Sequence, residues 1–447
     1  MNYSGSVSRA LKNKTTELFL KSLLLLCLLG LGFLMGYNTG LLAVLLATGW
    51  YFLFVDKDPE RPLWVSIIFI LPIRIPVAVF GEEYHLKLLF FGLVLISLFS
   101  YGLRVLKERE RPQLPLKLPV FLLLLLFIAG AFRSEAPLLD KVYGLRSFIF
   151  RSIFFYLLLN LYTKKGLVKI VKALLLSSIV LALLGIYQHL FKTYFIANCN
   201  LPDFRAMGTF DHPNVYALFV FLTGVLSAAM FFYTKIIKEK YYFAAVFLLN
   251  LAALFMAVSR SLWLCLLLAL VLFFFMYKKK ALLILAGAAA VLVLLLPGNL
   301  KEKFMHPVNM NDPSHQIRAG LIVNGMNMIK SSPVFGLGDG NSHYQYDKYK
   351  IRDTEGITRI HTQLITLTAE YGFLGLALFI FFVGAVLSDM LQRLKLLKNK
   401  EKILQYALIG IFAGLLLNAQ FNGNFFQESY VWLVMGLCLL PVKGGVA

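Results

Sequence analysis

The chain has 447 residues, of which 59% are hydrophobic, and its mean hydropathy is +0.74. Its repeated apolar runs have the length that crosses a bilayer core, about 17–25 residues, which excludes a soluble globular protein. The continuity of these runs also excludes the alternating strands of a membrane β-barrel. The net charge of +21 lies mostly in short Lys and Arg clusters between the runs. The positive-inside rule explains that placement, so we expect no nucleic-acid partner.

The apolar runs predict an all-α polytopic membrane protein embedded in the lipid bilayer, with about 12–14 transmembrane helices. The predicted spans lie near residues 17–35, 39–56, 62–80, 85–104, 117–133, 147–162, 167–191, 212–234, 240–258, 261–277, 281–297, 363–388, 403–421 and 425–441. We divide the chain into N-terminal transmembrane helices, 1–200, and a core, 201–447. The core includes one large polar loop, 299–361.

The charged loops predict an orientation for these spans. Strongly basic segments, of which 104–111, 235–240 and 278–280 are examples, recur in alternate connections. Such loops stay on the cytoplasmic side of a membrane under the positive-inside rule. The loop 299–361 then falls on the outer face, together with the Ser259-Arg260-Ser261 corner.

The outer loop combines a helical pattern with a turn. Apolar residues recur at helical spacing between 317 and 329, which predicts a short amphipathic helix lying on the outer leaflet. Pro333 follows, and then Gly336, Gly338 and Gly340. These residues predict the end of that helix and a tight turn.

Three arginines on the predicted outer face are candidates for binding an anion. Arg260 sits between two apolar runs with almost no polar loop around it. It is either an interfacial arginine whose head reaches the lipid headgroups, or a guanidinium held at the boundary to pair bidentately with a phosphate. Arg318 and Arg359 lie in the outer loop and are either solvated side chains or further ligands of the same anion.

His361 opens a predicted helix at the end of the outer loop. The positive partial charge of a helix N-terminus disfavours a protonated imidazole, and a neutral imidazole is able to accept a proton. The same N-terminus attracts phosphate, so one place would bind an anion and supply a base. The alternative is a histidine that only marks the membrane interface. His85, His189 and His212 also lie near predicted outer ends but are less well surrounded by cations.

Arg74 is a further cation, placed inside the third predicted span between Pro72 and Pro76. A charge within a span is costly, so this side chain either reaches outward or lines a cavity. Other signatures of chemistry are absent from the sequence: it has no P-loop, no Gly-x-Ser-x-Gly elbow and no His-Glu-x-x-His pair. The Asp56-Lys57-Asp58 stretch falls in a short cytoplasmic turn. We therefore predict no metal site.

The order and spacing of these motifs around one outer loop resemble the O-antigen ligase and polymerase family. The similar stretches are Gly208-Thr-Phe-Asp-His-Pro-Asn214, Ser259-Arg260-Ser261-Leu262-Trp263, Arg318 before Pro333-Val-Phe-Gly336-Leu-Gly338, His361-Thr-Gln-Leu-Ile, and Ala369-Glu-Tyr-Gly372-Phe-Leu-Gly375. The resemblance covers roughly residues 205–380, and the layout of the spans extends it to the whole chain.

Proteins of this family move a glycan from a polyprenyl (undecaprenyl) diphosphate carrier to a sugar hydroxyl, and known members need no nucleotide or metal. The resemblance therefore implies an O-antigen ligase-type glycosyltransferase without a cofactor in the bacterial cytoplasmic (inner) membrane, with its active site facing the periplasm or the outside. It assigns the role of general base to His361 and diphosphate binding to Arg260 and Arg318. The supporting residues are Arg359, Arg74 and Asn214.

Two alternatives stay open at this point. A ligase transfers the finished glycan to the lipid A core, whereas a polymerase joins repeat units on the carrier. The single large outer loop, which carries both a cation and the histidine, favours the ligase, although the spacing from Arg133 to Gly144 is similar to a polymerase loop pattern. A lipid-linked sugar flippase or other transporter would show paired half-chain repeats or broken helices at midplane, and the sequence shows neither clearly.

Overall fold

The computed structural model describes residue 48 and residues 51–55, 58–67, 76–79, 82–85, 87–193, 204–283 and 313–441. Apart from one π-helical turn, Tyr51–Val55, and one two-stranded hairpin, its regular elements are α-helices. The helices are α1 (Glu60–Val65), α2 (Lys87–Glu108), α3 (Lys117–Arg133), α4 (Leu138–Lys141), α5 (Tyr143–Leu161), α6 (Lys164–Phe191), α7 (Pro213–Tyr233), α8 (Ile237–Met256), α9 (Arg260–Tyr277), α10 (Pro313–Ser331), α11 (Asn341–Tyr344), α12 (Tyr346–Tyr349), α13 (Gln363–Leu396), α14 (Asn399–Asn422) and α15 (Ser429–Cys438).

The predicted fold class is confirmed. Within the described ranges, eight helices are long and apolar enough to cross a membrane, namely α2, α5, α6, α7, α8, α9, α13 and α14. Their bounds agree with the predicted spans to within several residues. The predicted span 17–35, most of the predicted spans 39–56 and 281–297, and the start of the predicted outer loop lie outside the described residues.

The predicted span 62–80 is wrong at its C-terminal end. Strand β1 (Pro76–Val79) pairs antiparallel with β2 (Glu82–His85), with Pro76 opposite His85. Proline has no N–H for a helix interior but is tolerated as the first residue of a strand, and the β-branched valines after it favour extended backbone. The sequence pattern was apolar enough for a span, but proline decides the local structure.

The helices α7 and α14 form the centre of the bundle. In their most apolar stretches, 78% and 72% of the residues are buried, against 28% in α8 and in α13, which therefore lie at the periphery. Close backbone contact holds the centre together: a Cβ atom on Gly410 of α14 would lie 2.6 Å from the carbonyl oxygen of Ala269 on α9. Gly414 follows one turn later, so small residues let α9 and α14 pack tightly, as is common between membrane helices.

A second packing centre joins α3, α5, α13 and α15 through aromatic rings. Phe148 of α5 lies 4.9 Å from Phe127 of α3 and 5.4 Å from Trp432 of α15, measured between ring centroids. Phe382 of α13 lies 6.2 Å from the same Trp432. Trp432 is fully buried, and its indole N–H donates to the carbonyl of Phe426, so this large side chain leaves no polar group unsatisfied.

The outer segment from α10 to residue 360 has a small apolar core of its own. Leu321, Met328 and Ile329 of α10 pack with Tyr346 and Ile360 in this core. Asn324 is fully buried among them, and its amide donates to the hydroxyl of Tyr346 at 2.6 Å and to the carbonyl of Arg352 at 2.9 Å. This unit, residues 313–362, is called the outer unit after its predicted location. It holds its shape through its own contacts and rests on α13.

Helix α13 is interrupted at Gly372, whose φ of +67° and ψ of −169° are not helical. The turn at residues 333–340 of the outer unit, called the outer turn, supplies hydrogen-bond partners for the carbonyls at the break. The N–H groups of Leu337 and Gly338 donate to the carbonyls of Ala369 and Glu370 at 2.9 and 2.8 Å, respectively. A Cβ atom at Gly372 would collide with the carbonyl of Val334. Only glycine adopts this conformation readily, so the break locks the outer unit onto α13.

Candidate active site

A cavity of about 370 Å³ lies between the outer unit and the ends of the central helices. It is lined by Arg205, His212, Asn214, Val215, Leu218, Arg318, Arg359, His361, Asn418, Phe421, Asn422, Asn424 and Glu428. Three guanidinium groups and two imidazoles therefore face one space, beside a group of amides. Such a concentration of convergent polar groups over a partly apolar floor is typical of a ligand site.

Arg205 is fixed by the loop that precedes α7. Its Nε donates to the carbonyl of Ala257 at 2.9 Å, and its Nη2 donates to Oδ1 of Asn214 at 2.8 Å. The neighbouring backbone is held by Gln188 of α6, whose amide accepts from the N–H of Gly208 and donates to its carbonyl, both at 2.7 Å. The two bonds of Gln188 are buried and hold the backbone, and the two bonds of Arg205 then give its guanidinium a defined position at the cavity wall.

The corner between α8 and α9 adds backbone strain to this wall. Val258 adopts a φ of +49°, a left-handed conformation that is unusual for a β-branched residue. The residues on either side of it serve the site: the carbonyl of Ala257 accepts from Arg205, and the hydroxyl of Ser259 donates to Oδ1 of Asn214 at 3.1 Å. Strain of this kind is often retained at functional sites.

His212 caps α7. Its Nδ1 accepts from the backbone N–H of Asn214 at 3.1 Å, an interaction that requires this nitrogen to be unprotonated. The ring lines the cavity, and the surrounding protein removes part of its contact with water. This desolvation lowers the pKa of His212, as does the positive charge of Arg205. His212 is therefore held neutral, and one of its nitrogens is already used by the helix.

The outer unit contributes Arg318 from α10 and Arg359 and His361 from the segment that leads into α13. Burial lowers the pKa of His361, and the positive charges of Arg318 and Arg359 lower it further. The imidazole is thus neutral at ordinary pH. It lies two residues before the N-terminus of α13, where the helix dipole acts in the same direction.

The remaining wall comes from the end of α14 and the turn that follows it. Asn422 donates to Oδ1 of Asn418 at 2.7 Å, and its own Oδ1 accepts from Asn214 at 3.4 Å. Asn424 and the buried carboxylate of Glu428 complete this wall. A chain of amides therefore connects the arginine side of the cavity to the end of α14.

A smaller polar cavity of about 40 Å³ lies behind the main one, and Asn424 lines both. It contains the carboxyl groups of Asp339 and Glu370, with the hydroxyl of Ser342 donating to Oε1 of Glu370 at 2.6 Å. Burial raises the pKa of Asp339. The backbone of the same outer turn is bonded to the end of α3, since the N–H of Asp339 donates to the carbonyl of Gly130 at 3.1 Å. These acids join the outer turn to the bundle.

The structure brings together four of the residues singled out from the sequence: Arg318, Arg359, His361 and Asn214 line one cavity. Arg260 is not among the lining residues. It begins α9 directly after Ser259, and its assignment to the diphosphate stays a prediction. Arg74 lies outside the described residues.

Sequence reasoning missed Arg205 and the residues of the far wall. Arg205 stands three residues before the Gly208–Asn214 stretch that carried part of the resemblance, so it was within reach of that motif. Asn418 and Asn422 are polar residues at the end of an apolar span, and such residues are signals of function. In the sequence, His212 has fewer neighbouring cations than His361, yet Arg205 lies beside it in the structure.

The cavity is equipped to bind an anion and to remove a proton. Guanidinium groups bind phosphate oxygens with charge-assisted, often bidentate hydrogen bonds, and a neutral imidazole is a suitable base near neutral pH. Among the residues that the structure describes, no group of three or more His, Cys, Asp or Glu side chains is arranged to hold a metal ion.

Comparison with known proteins supports the predicted family. Residues 245–380 match the family model described as O-Antigen ligase. The chain is also 26% identical over 146 residues to the teichuronic acid biosynthesis protein TuaE of Bacillus subtilis (strain 168). That alignment covers 32% of the present chain and 30% of the relative, so the chain is similar to about a third of that protein's length. The family match contains Arg318, Arg359 and His361.

Proposed function

We propose that this membrane protein, whose predicted membership of the O-antigen ligase family is confirmed over residues 245–380, is a glycan transferase. It moves a glycan from a polyprenyl (undecaprenyl) diphosphate carrier to a sugar hydroxyl, and the proposed acceptor is the lipid A core. One observation carries the proposal: a neutral His361 shares a cavity with Arg205, Arg318 and Arg359.

The three arginines suit the leaving group. A diphosphate bonded to a sugar gains negative charge as the sugar departs, and guanidinium groups already aimed at the cavity stabilise that charge without rearrangement. The apolar floor, formed by Val215 and Leu218 of α7, leads towards the membrane-spanning part of that helix. A carrier with a charged head and a long hydrocarbon tail fits this combination of surfaces.

The proposed step is a single displacement. The oxygen of an acceptor hydroxyl forms a bond with C1 of the donor sugar while the bond from C1 to the phosphate oxygen breaks. The hydroxyl proton passes to the free nitrogen of His361, and the electron pair of the broken bond leaves on the diphosphate, beside the arginines. Because the diphosphate is a good leaving group when its charge is neutralised, this step needs a base and cations.

The proposed location is the bacterial cytoplasmic membrane, with the cavity facing the periplasm or the outside. The support is the distribution of charge in the loops, because 235–240 and 393–402 are strongly basic and lie at the opposite ends of their helices from the cavity. Arg205 and His361 lie before α7 and α13, and Asn422 ends α14. All three helix ends then belong to one membrane face.

Polymerisation of repeat units is the second candidate, and the similarity to a teichuronic acid biosynthesis protein favours keeping it. In that case the acceptor is a sugar hydroxyl of another carrier-linked glycan, and the chemistry at the cavity is unchanged. Transport is not favoured by the break in α13. The part of α13 after Gly372 has 24 residues, Phe373–Leu396, and at about 1.5 Å per residue it crosses a core of about 30 Å alone. The break is therefore at the outer boundary and not at midplane.

Reconstitution separates these functions. The purified protein is placed in vesicles with an undecaprenyl-diphosphate-linked repeat unit, with and without lipid A core, and the products are separated by size. We expect transfer of the glycan to the lipid A core. Elongation of the carrier-linked glycan would support the polymerase instead. Movement of the glycan across the membrane with the diphosphate linkage intact would contradict the proposed transferase.

A further inference from the structure

The main cavity is lined by two chemically different sets of groups. The three arginines, one from the bundle and two from the outer unit, offer only hydrogen-bond donors with positive charge, which match the oxygens of a diphosphate. The other set, here called the amide side, is formed by Asn418, Asn422, Asn424 and Glu428. Amides both donate and accept hydrogen bonds, and a carboxylate accepts them, so this side matches sugar hydroxyls, which also do both. Phe421 adds a flat apolar ring to the same wall.

The amide side adjoins the proposed base. The turn after α14 contains Gly423, with a φ of +65°, and a Cβ atom there would lie 2.8 Å from the carbonyl oxygen of Ile360 and 3.1 Å from the carbonyl carbon of His361. The turn is also bonded to the start of α13, because the N–H of Phe425 donates to Oε1 of Gln363 at 2.8 Å. Asn424 and His361 thus face the cavity from backbones that touch.

The amides of this wall are not equally available to a ligand. Asn418 and Asn422 bind each other, and Asn422 also accepts from Asn214. By contrast, no hydrogen bond within the described ranges engages the side-chain amide of Asn424, which is half-buried at the cavity. Glu428 is held in place by α15, since its carboxylate accepts from the N–H of Tyr430 at 3.4 Å.

We infer that Asn424 and Glu428 bind a sugar ring of the acceptor glycan beside His361. The inference rests on the proposed transferase function and assigns the acceptor to one wall of the cavity. The donor glycan is also made of sugars, so the same chemistry could come from either substrate. The acceptor is assigned because the nucleophilic hydroxyl must meet the base, and Asn424 is next to it, whereas the donor is fixed through its diphosphate by the arginines.

Steady-state kinetics of Asn424→Ala test this assignment. The donor is the undecaprenyl-diphosphate-linked repeat unit, and the acceptor is whichever of lipid A core and a second lipid-linked repeat unit the wild type elongates. Loss of a hydrogen bond to a neutral hydroxyl should raise the acceptor KM about tenfold, with the donor KM unchanged and kcat within about threefold. Asn424→Leu keeps a side chain of similar size but removes both the donor and the acceptor of the amide, and it should raise the acceptor KM in the same way.

Two controls make the result specific. Gln392→Ala removes an exposed amide from the far end of α13, and it should leave both KM values unchanged. Arg318→Ala should raise the donor KM instead. An unchanged acceptor KM in Asn424→Ala would overturn the inference, as would a rise confined to the donor KM. If the wild type transfers glycan to neither acceptor, the proposed function itself fails, and that outcome is seen before any variant is compared.

Discussion

The cavity is lined from two parts of the molecule, the outer unit and the membrane bundle, which form its two walls. These two walls differ in how their residues are held. The outer unit carries Arg318, Arg359 and His361, and its own small core gives it shape. The membrane bundle carries Arg205 and His212, whose nitrogens are bonded to neighbouring protein groups. The bundle therefore supplies fixed structure at the cavity, whereas the outer unit supplies an imidazole held neutral by burial and by its neighbouring charges. The two histidines show the difference most clearly.

The largest expected effect is on turnover, and it compares the two histidines. His361→Ala should lower kcat by about 10²–10⁴, the usual contribution of a general base, while the protein still folds and binds the donor. His361→Gln should be similarly slow, because an amide hydrogen-bonds a hydroxyl but does not take its proton. The measurement is single-turnover transfer with saturating donor.

The matched histidine variants are His212→Ala and His343→Ala. The first removes a helix cap and should lower the free energy of unfolding by about 1 kcal/mol, with a much smaller change in kcat than at His361. The second removes an exposed outer-unit ring that bonds Thr358 and does not line the cavity. If His212→Ala abolishes turnover and His361→Gln does not, the roles of the two walls are reversed.

The next largest effect is on stability, and it concerns the contact between the outer unit and α13 at Gly372. Gly372→Ala places a side chain where φ is +67° and the carbonyl of Val334 lies in the way. Strain and overpacking together should destabilise the protein by about 2–6 kcal/mol and displace the outer unit. Thermal unfolding in detergent and transfer activity should both fall.

Gly384 is the control on the same helix, because a Cβ atom there meets nothing within 4 Å. Gly384→Ala should stabilise α13 by about 0.5–1 kcal/mol, since alanine is the better helix former. Equal behaviour of the two alanine variants would show that the break at Gly372 does not hold the outer unit.

A third prediction compares an arginine of the bundle with an arginine of the outer unit. Arg205→Lys and Arg318→Lys keep the charge but lose the planar fork, so donor affinity should fall about 10- to 100-fold, as expected for the loss of a charge-assisted hydrogen bond. Donor binding is measured with the undecaprenyl-diphosphate-linked repeat unit. Arg352→Lys, at an exposed outer-unit position away from the cavity, is the control.

Arg260→Lys belongs in the same series because Arg260 was assigned to the diphosphate from the sequence. A fall in donor affinity as large as that of Arg318→Lys would support this assignment despite its position outside the cavity lining. Wild-type affinity would show that Arg260 is an interfacial residue at the start of α9.

The smallest expected effect is a shift of the pH profile. The proposed base, His361, acts when neutral, so kcat/KM should fall as pH decreases through its pKa, which lies below the ordinary histidine value. Arg359→Gln removes one of the positive charges that lower this pKa, so the pKa rises and the acidic limb should move to higher pH. Arg352→Gln should leave the limb in place, and an unmoved limb in Arg359→Gln would contradict the proposed coupling.

Much of the bundle was predictable because apolar runs of sufficient length leave few alternatives to membrane helices. Arg318, Arg359, His361 and Asn214 were found from position and resemblance, and the structure places them around one cavity. The rest depended on contacts between distant segments. Asn424 becomes a neighbour of His361 only because the Gly423 turn packs on the residue 360–361 backbone.

The break in α13 shows the same limit. The sequence around Gly372 reads as a continuous apolar span, and the helix is interrupted because the outer turn at Val334 occupies the space and takes over backbone hydrogen bonds. The hairpin at Pro76 is different, because proline is a local signal and gave reason to end the predicted span earlier.

The distribution of the cavity residues along the chain also sets the order in which the site is built during synthesis. Arg205 and Asn214 leave the ribosome early, the cations and histidine of the outer unit follow, and Asn424 and Glu428 come last. A nascent chain that stops after α13 has the arginines and the histidine but lacks α14, on which α7 and α9 pack. Incomplete chains therefore have no closed cavity, because the asparagines and Glu428 that complete its lining come with the final helices.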